Sequence, residues 1–229
     1  MAKKIFPPED ISQNIKRVYN CLLLSKLPVY DCSKCSADDM LAKISNFPGL
    51  IFIFEDGEEI KVDETKADRI VFVGYSQDVH IRIRQYVYDI ERNATLKRQI
   101  GAAMLQRDGY DAGTLDLWWH YRDKNRLRNT AYMKIEEEYV KKVLTYIQGH
   151  LHFMPVRMDD VANLESFARK MLATFSWGNF KPSEKWLGNT SPWWQVRDSG
   201  LWAMRTHHSK TIMEESDFVL LEKLIKDME

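Results

Sequence analysis

The chain has 229 residues, of which 45% are hydrophobic and 29% are charged, and its formal net charge is zero. This composition is that of a globular protein and excludes a disordered chain, and the neutral balance gives no overall attraction to DNA. No apolar run approaches the roughly 20 residues that span a bilayer, so we expect no membrane association. The N-terminus carries no signal-peptide pattern, and we expect a cytoplasmic location.

Helical patterns dominate the start of the chain. Apolar residues recur at helical spacing from Ile11 to Leu22, and Asp10 is placed to begin this helix. Residues 36–39 have the spacing of a capping box, which predicts a short second helix through Ile44. We therefore predict that residues 1–46 form a helical N-terminal extension.

Two short apolar segments predict the first strands. Residues 50–54 and 69–74 are β-branched and aromatic, as buried strands are. Between them, residues 55–68 hold seven acids and two lysines and include a turn signal at Asp56-Gly57, so we interpret them as an acidic hairpin loop. Because a hairpin is the short connection, the two strands are predicted to be antiparallel neighbours.

The rest of the chain mixes helices and strands. Helices are predicted over residues 78–89, 96–106, 130–148, 161–175 and 214–228, and strands over residues 114–121 and 151–158. Residues 177–204 are rich in Gly, Pro, Ser and Trp and are predicted to be mostly irregular. The predicted fold class is α/β or α+β, with a small mixed or antiparallel central sheet flanked by helices.

A group of residues after the second strand fits a phosphate site. The strand ends at Gly74, a polar turn follows, and the next helix carries Arg82 and Tyr86 four residues apart on one face. The planar fork of an arginine binds two phosphate oxygens, and a helix N-terminus offers free amides to an anion. This pattern alone is a weak signal, because an arginine on an exposed helix is usually just solvated.

The longer string of residues resembles the GIY-YIG nuclease family. In that family a Gly-Ile-Tyr strand and a Tyr-Ile-Gly strand form a hairpin, and an arginine follows eight residues after the second glycine. Here residues 49–51 and 72–74 stand for the two motifs and Arg82 stands at the arginine position. Later segments similar to one branch of the family extend the resemblance over about residues 47–205. Residues 206–229 are then predicted to be a C-terminal helix packed on this domain.

The resemblance implies hydrolysis of DNA phosphodiester bonds with a divalent metal, Mg²⁺ or Mn²⁺. Glu165, on the helix after the last predicted strand, would be the metal ligand, and Arg82 would stabilise charge on the phosphate. Tyr75 and Tyr86 would supply the phenols for proton transfer. Stand-alone members of the family serve in restriction or in defence against mobile elements, which is the role that the resemblance implies.

Several positions depart from the family pattern. The motif tyrosines are replaced by Ile51 and Phe72, and the closing asparagine is replaced by Ala203. An alignment without gaps would place Ala168, one helical turn after Glu165, at the metal-ligand position. The alternative is therefore a catalytically degenerate member that binds nucleic acid or a protein partner without cleavage.

Basic residues are concentrated in the middle of the chain. Between His80 and Lys134 there are eleven lysines and arginines against six acids. A neutral protein can still bind a polyanion through one basic face. The residues predicted to contact DNA are Arg84, Lys97, Arg98, Arg126 and Arg128, although solvated helix faces and a solvated loop explain the same pattern.

Zinc is not expected. Cys32 and Cys35 have the spacing of half a zinc site, but a closed site needs four ligands and the third cysteine is Cys21. His207 and His208 are adjacent, and neighbouring side chains are expected to point in different directions, so metal binding there is not expected.

Overall fold

The computed structural model describes residues 10–89, 94–120, 127–178 and 181–229. Its helices are α1 (Ile11–Leu24), α2 (Ala37–Leu41), α3 (Val79–Val87), α4 (Thr95–Arg107), α5 (Ala112–Trp119), α6 (Thr130–His150), α7 (Leu164–Ser176), α8 (Trp194–Ser199) and α9 (Glu215–Lys226). Its strands are β1 (Tyr30–Asp31), β2 (Gly49–Val62), β3 (Thr65–Ser76) and β4 (Leu151–Arg157). The α+β class is confirmed. Within the described ranges no helix has both the length and the apolarity to cross a bilayer.

The strands form one antiparallel sheet in the order β1-β4-β2-β3. The predicted hairpin of β2 and β3 is confirmed, with Ile51 opposite Gly74 and Ile53 opposite Phe72. Strand β3 lies at the edge of the sheet. On its open side, the amide of Trp202 donates a 2.8 Å hydrogen bond to the carbonyl of Val71. The chain after α8 therefore runs along this edge.

The sheet separates two hydrophobic cores, because successive side chains of a strand point to opposite faces. Leu50 and Phe52 pack with α1, α7 and α9 on one face. Ile51 and Ile53 pack with α3, α4 and α6 on the other face. We call these the α7 face and the α3 face.

The predicted loop over residues 55–68 is wrong, because the two strands continue through it and turn only at residues 63–64. Glu58, Ile60 and Val62 are buried in alternation, which is the period of a strand. Glu58 is buried because Arg69 donates to its carboxylate at 2.7 Å. A carboxylate can be buried when an ion pair and hydrogen bonds replace its contacts with water.

The predicted strand over residues 114–121 is also wrong, since residues 114–119 lie in α5, and residue 121 lies outside the described residues. Asp111 caps the helix by accepting a 2.8 Å hydrogen bond from the amide of Thr114. Trp118 is fully buried, and its indole donates to the carbonyl of Arg98. A window of eight residues was too short to separate alternating from helical spacing.

The other predicted elements occur with small shifts at their ends. Asp78 caps α3 by accepting from the amide of Ile81 at 3.0 Å. Helix α7 begins at Leu164, three residues later than predicted, because residues 161–163 form a turn. Asp10 precedes α1 as predicted, but its side chain makes no capping hydrogen bond.

The two ends of the chain pack together. Arg17 of α1 forms ion pairs with Glu215 at 2.7 Å and with Glu222 at 2.6 Å on α9. Both helices contribute to the core on the α7 face. The predicted boundaries after residues 46 and 205 stay predictions, and the hydrophobic core extends across both.

Candidate active site

A cavity of about 420 Å³ lies at the β3 edge of the sheet. Residues 72–75 of the edge strand form one wall, and residues 203–206 of the segment along that edge form another. Arg82 and Tyr86 of α3 line it from one side, and Glu165 of α7 lines it from the other. The cavity therefore joins groups from both faces of the sheet.

The edge strand makes this convergence possible. Gly74 is opposite Ile51 and belongs to the α3 face, whereas Tyr75 is opposite Leu50 and belongs to the α7 face. Tyr75 therefore points away from the motif glycine, as neighbours on a strand must. That direction takes it toward Glu165, so both faces supply side chains to the cavity.

Arg82 brings a partly unsatisfied guanidinium to the cavity. Its Nε is buried and has no hydrogen-bond partner among the described residues. An unpartnered buried polar atom costs free energy that a bound acceptor would recover. The guanidinium of Arg82 thus lines the cavity and keeps a donor free for a phosphate oxygen.

Glu165 is the single acid that lines the cavity within the described part of the chain. Its side chain is half exposed, and one carboxylate oxygen forms a 2.5 Å ion pair with Arg169, one turn later on α7. Ala168 lines the same cavity but is buried and apolar. Of the two alignments considered for the metal ligand, Glu165 is therefore the one that places a carboxylate here.

Tyr75 lies close to this carboxylate. Burial raises the pKa of Tyr75, and the hydrogen bond and negative charge of Glu165 raise it further, while Arg169 and Arg82 lower it. The phenol is therefore protonated at neutral pH and acts as a hydrogen-bond donor. Deprotonation of Tyr75 would become easier if a cation neutralised Glu165.

Tyr86 occupies the inner end of the cavity. Its ring stacks on Phe153 with 6.2 Å between centroids, and burial raises the pKa of Tyr86 to about 12. A methyl group at Gly74 would lie 3.0 Å from the Tyr86 hydroxyl, so the motif glycine makes room for it. At neutral pH this hydroxyl is a donor.

The cavity is strongly basic. Its charged lining residues are the arginines Arg82, Arg98, Arg169 and Arg205 and one acid, Glu165. Their formal charges sum to an excess of three positive charges. The guanidinium of Arg98 also lies 4.7 Å from the ring centre of Trp119, a cation–π contact. Sequence reasoning missed Arg169 and Arg205. Arg169 could have been predicted, because it follows Glu165 by four residues and so lies on the same face of the helix.

Gln99 is a further residue of this cavity that the sequence did not single out. It is fully buried, and neither atom of its amide has a hydrogen-bond partner among the described residues. A buried amide normally has partners. Gln99 therefore adds a further unsatisfied polar group to the cavity that Arg82 lines.

A second cavity of about 470 Å³ adjoins the first. Tyr75, Arg82 and Glu165 line both cavities, so these three residues stand at the junction. The second cavity extends past residues 76–77 to the turn before α7. Together the two cavities form a groove with Arg82 and Glu165 at its middle.

Two buried acids hold the far wall of this groove in place. Glu55 accepts hydrogen bonds from the indoles of Trp186 at 3.0 Å and Trp202 at 2.9 Å, and also from the hydroxyl of Tyr146. Glu58 accepts from the backbone amide of Ser183 at 3.0 Å. These contacts bind the C-terminal segment to the hairpin and so place residues 203–206 at the cavity. Ala203, at the position of the family asparagine, lines the cavity without a polar group.

Other predicted site residues lie elsewhere. Arg84 is exposed on α3 but does not line the cavity, and Arg128 is exposed outside it. Lys97 is 2% exposed and its ammonium donates to the carbonyl of Asp89, so its side chain is not available to contact DNA. Arg126 lies outside the described residues.

The donor set suits Mg²⁺ or Mn²⁺ bound mainly through ligands other than protein. Magnesium is commonly held by one or two carboxylates, with water and substrate phosphate as the other ligands. Glu165 offers one carboxylate opposite the cationic fork of Arg82. Glu165 would hold the ion, and the remaining positions would belong to water and phosphate.

A comparison with known families identifies the chain. A model of the GIY-YIG domain matches residues 10–229, which includes α1 and α9 as well as the hairpin and α3. No curated protein matches the chain, and no solved structure matches it. Proteins with this domain are generally nucleases that bind DNA. Since the match covers nearly the whole chain, this protein belongs to the GIY-YIG domain family.

Proposed function

We propose that the chain is an endonuclease that hydrolyses DNA phosphodiester bonds with Mg²⁺ or Mn²⁺. The observation that carries this proposal is the convergence of Arg82 and Glu165 on one groove from opposite faces of the sheet. A cationic and an anionic side chain that line one groove suit phosphoryl transfer, because the arginine stabilises negative charge that develops on the phosphate and the carboxylate offers a ligand to a metal ion.

Each residue has a role that its surroundings favour. Arg82 donates to non-bridging oxygens of the scissile phosphate, and Tyr86 donates from the inner end of the cavity. Tyr75, beside Glu165, orients the attacking water. A divalent ion held by Glu165 would act as a Lewis acid on the phosphate. Arg98, Arg169 and Arg205 contribute the positive charge that draws the DNA backbone into the groove.

A second candidate function is DNA binding without cleavage. It is favoured by Ile51 and Phe72 at the motif tyrosine positions and by Ala203 at the asparagine position. Ile51 is fully buried in the core on the α3 face and offers no polar atom to the groove. Under this reading the basic groove is kept and the hydrolytic chemistry is lost.

The test is cleavage of supercoiled plasmid with Mg²⁺ or Mn²⁺, beside a separate measurement of DNA binding. Arg82→Ala and Glu165→Gln are each expected to lower the cleavage rate by about 100-fold or more. Lys223→Ala, which removes one exposed charge from α9 outside the groove, is the matched control and is expected to cleave normally.

Three outcomes separate the candidates. Cleavage that both Arg82→Ala and Glu165→Gln retain would overturn the proposed active site. Salt-sensitive DNA binding without cleavage in either metal would favour the binding protein. Absence of both would remove DNA as the ligand of this groove.

A further inference from the structure

Asp198, His207 and His208 form a cluster that the groove does not use, and we call it the histidine cluster. Nε2 of His207 lies 2.8 Å and Nε2 of His208 lies 3.8 Å from Oδ2 of Asp198. The three residues can present one ligand atom each within 4.8 Å of one another. Asp198 is on α8, whereas the histidines follow the segment along the β3 edge. The cluster therefore joins two separate stretches of chain.

The two histidines converge despite being neighbours in the sequence. His208 has a φ of 49°, in the left-handed region that non-glycine residues rarely adopt. The ring centroids of His207 and His208 are 3.9 Å apart as a result. The expectation that the two side chains point in different directions is wrong, and the left-handed backbone at His208 is the reason.

Aromatic neighbours and the backbone fix both rings. The ring of His208 stacks on Trp177 at 4.3 Å, and the ring of His207 meets Trp194 edge-on at 4.7 Å. The amide of His208 donates a 2.9 Å hydrogen bond to Ser176 at the end of α7. Ligand side chains held in this way bind a metal with little further ordering.

The donor set indicates the class of ligand. Two imidazole nitrogens and one carboxylate oxygen are the protein ligands of many catalytic zinc sites and of other first-row transition metals. The side chain of His207 is 5% exposed, whereas that of Asp198 is 52% exposed, so the cluster opens to solvent on one side. A fourth position is therefore available to water.

We propose that the histidine cluster binds one divalent transition-metal ion such as Zn²⁺. This site differs in chemistry from the groove, where a single carboxylate suits Mg²⁺. It also differs in place, because Glu165 and Ser176 are eleven residues apart on α7, or roughly 16 Å at the rise of an α-helix. The proposal does not depend on nuclease activity.

The test is titration of the untagged full chain with Zn²⁺ by calorimetry and with Co²⁺ by visible absorption and tryptophan fluorescence. We expect one ion per chain with micromolar or tighter affinity, and quenching by Co²⁺ because Trp177 and Trp194 lie against the ligands. His207→Ala and His208→Gln are each expected to weaken binding at least tenfold.

Three control variants make the site specific. His120→Ala removes an ordinary exposed histidine that pairs with one aspartate on α5, and it is expected to leave Zn²⁺ binding unchanged. Glu165→Gln tests the groove, and Cys32→Ser tests the two neighbouring thiols, and both are expected to bind normally. Near-ultraviolet circular dichroism establishes that each variant is folded. If His207→Ala does not fold, His208→Gln still tests the site, because glutamine keeps a polar side chain at that position.

Two results would overturn the proposal. One is the absence of saturable binding of Zn²⁺ or Co²⁺ at a ratio of one ion per chain. The other is binding that persists in both histidine variants, or that is lost in Glu165→Gln or Cys32→Ser, because the ion would then lie elsewhere.

Discussion

Arg82 and Glu165 stand on opposite faces of the sheet and line the same groove at its edge. The two side chains form no ion pair with each other, and Glu165 pairs instead with Arg169 on its own helix. The space between them is bordered by Gly74 and Tyr75, the last motif residue and its neighbour on β3. The edge strand therefore lies between the two charges.

Tyr75 should report the charge of Glu165. Because the carboxylate raises the pKa of Tyr75, Glu165→Gln is expected to lower that pKa, and Arg82→Ala is expected to raise it. The measurement is a ¹³C NMR titration of labelled tyrosine, with Tyr75→Phe assigning the signal. An unchanged pKa in Glu165→Gln would show that the two side chains do not interact in solution.

Glu55 should give a pH-dependent stability. Burial is the largest effect on its carboxyl group and raises its pKa, although Tyr146, Trp202 and Trp186 lower it. A raised folded pKa means that the carboxyl group stabilises the fold below its unfolded pKa and that this contribution is lost as pH rises through the folded pKa. Glu55→Gln is therefore expected to gain stability relative to the wild type as pH rises above about 4.5.

The control for that measurement is Glu55→Leu. This change leaves two indoles and a hydroxyl without their acceptor, and it is expected to cost about 3 kcal/mol or more of unfolding free energy. Urea denaturation across pH compares the three proteins. If Glu55→Gln loses stability relative to the wild type as pH rises, the carboxylate form is the one that the fold prefers.

Gln99 should be replaceable at a gain in stability. Leucine has a similar size and no amide, so Gln99→Leu is expected to raise the unfolding free energy by about 1–3 kcal/mol. If Gln99 also contacts substrate, the same variant should bind DNA more weakly. A lower melting temperature for Gln99→Leu would show that its amide has a partner in solution.

Gly101 should not tolerate a side chain. A methyl group there would lie 2.0 Å from the ring of Trp118, which is fully buried. Gly101→Ala is expected to cost about 1–3 kcal/mol through overpacking. Gly149→Ala on α6 is the matched control, because no atom lies within 4 Å of its added methyl group apart from its chain neighbours and the backbone of its own helix. This change is expected to stabilise the helix by about 0.5–1 kcal/mol. Thermal unfolding compares the two variants.

Arg205 should contribute to DNA affinity through charge. Each phosphate contact adds about one to the slope of log affinity against log salt concentration, so Arg205→Ala is expected to make that slope shallower by about one. Arg84→Ala tests the exposed arginine outside the groove by the same assay. Equal slopes for the wild type and Arg205→Ala would exclude a phosphate contact at Arg205.

Local signals in the sequence predicted the β2–β3 hairpin, helix α3 and the capping residue of α3, Asp78. Gly74, Asp78 and Arg82 are close in sequence, so the spacing of a few residues determines their arrangement. The strand mistakenly predicted at residues 114–121 shows the limit of this reasoning, because both periods fit a short apolar window. The cap at Asp111 was the signal that favoured a helix.

Contacts between distant residues could not be predicted in this way. Glu55, an acid of the predicted loop, is buried with hydrogen-bond donors that lie 131 and 147 residues later in the chain. The meeting of His207 and His208 depends on one backbone dihedral angle that composition does not reveal. Arg205 reaches the groove because the segment after α8 runs along β3.

The hydrogen bonds of Glu55 to Trp186 and Trp202 also affect the order of events during synthesis. Until residues 186 and 202 have been synthesised, the carboxyl group of Glu55 lacks its two indole donors and stays hydrated. Closing so long a loop is slow, and contacts of this separation delay folding. The groove therefore acquires its last wall only after residues 203–206 have been synthesised, and a chain shortened before those residues has no complete groove.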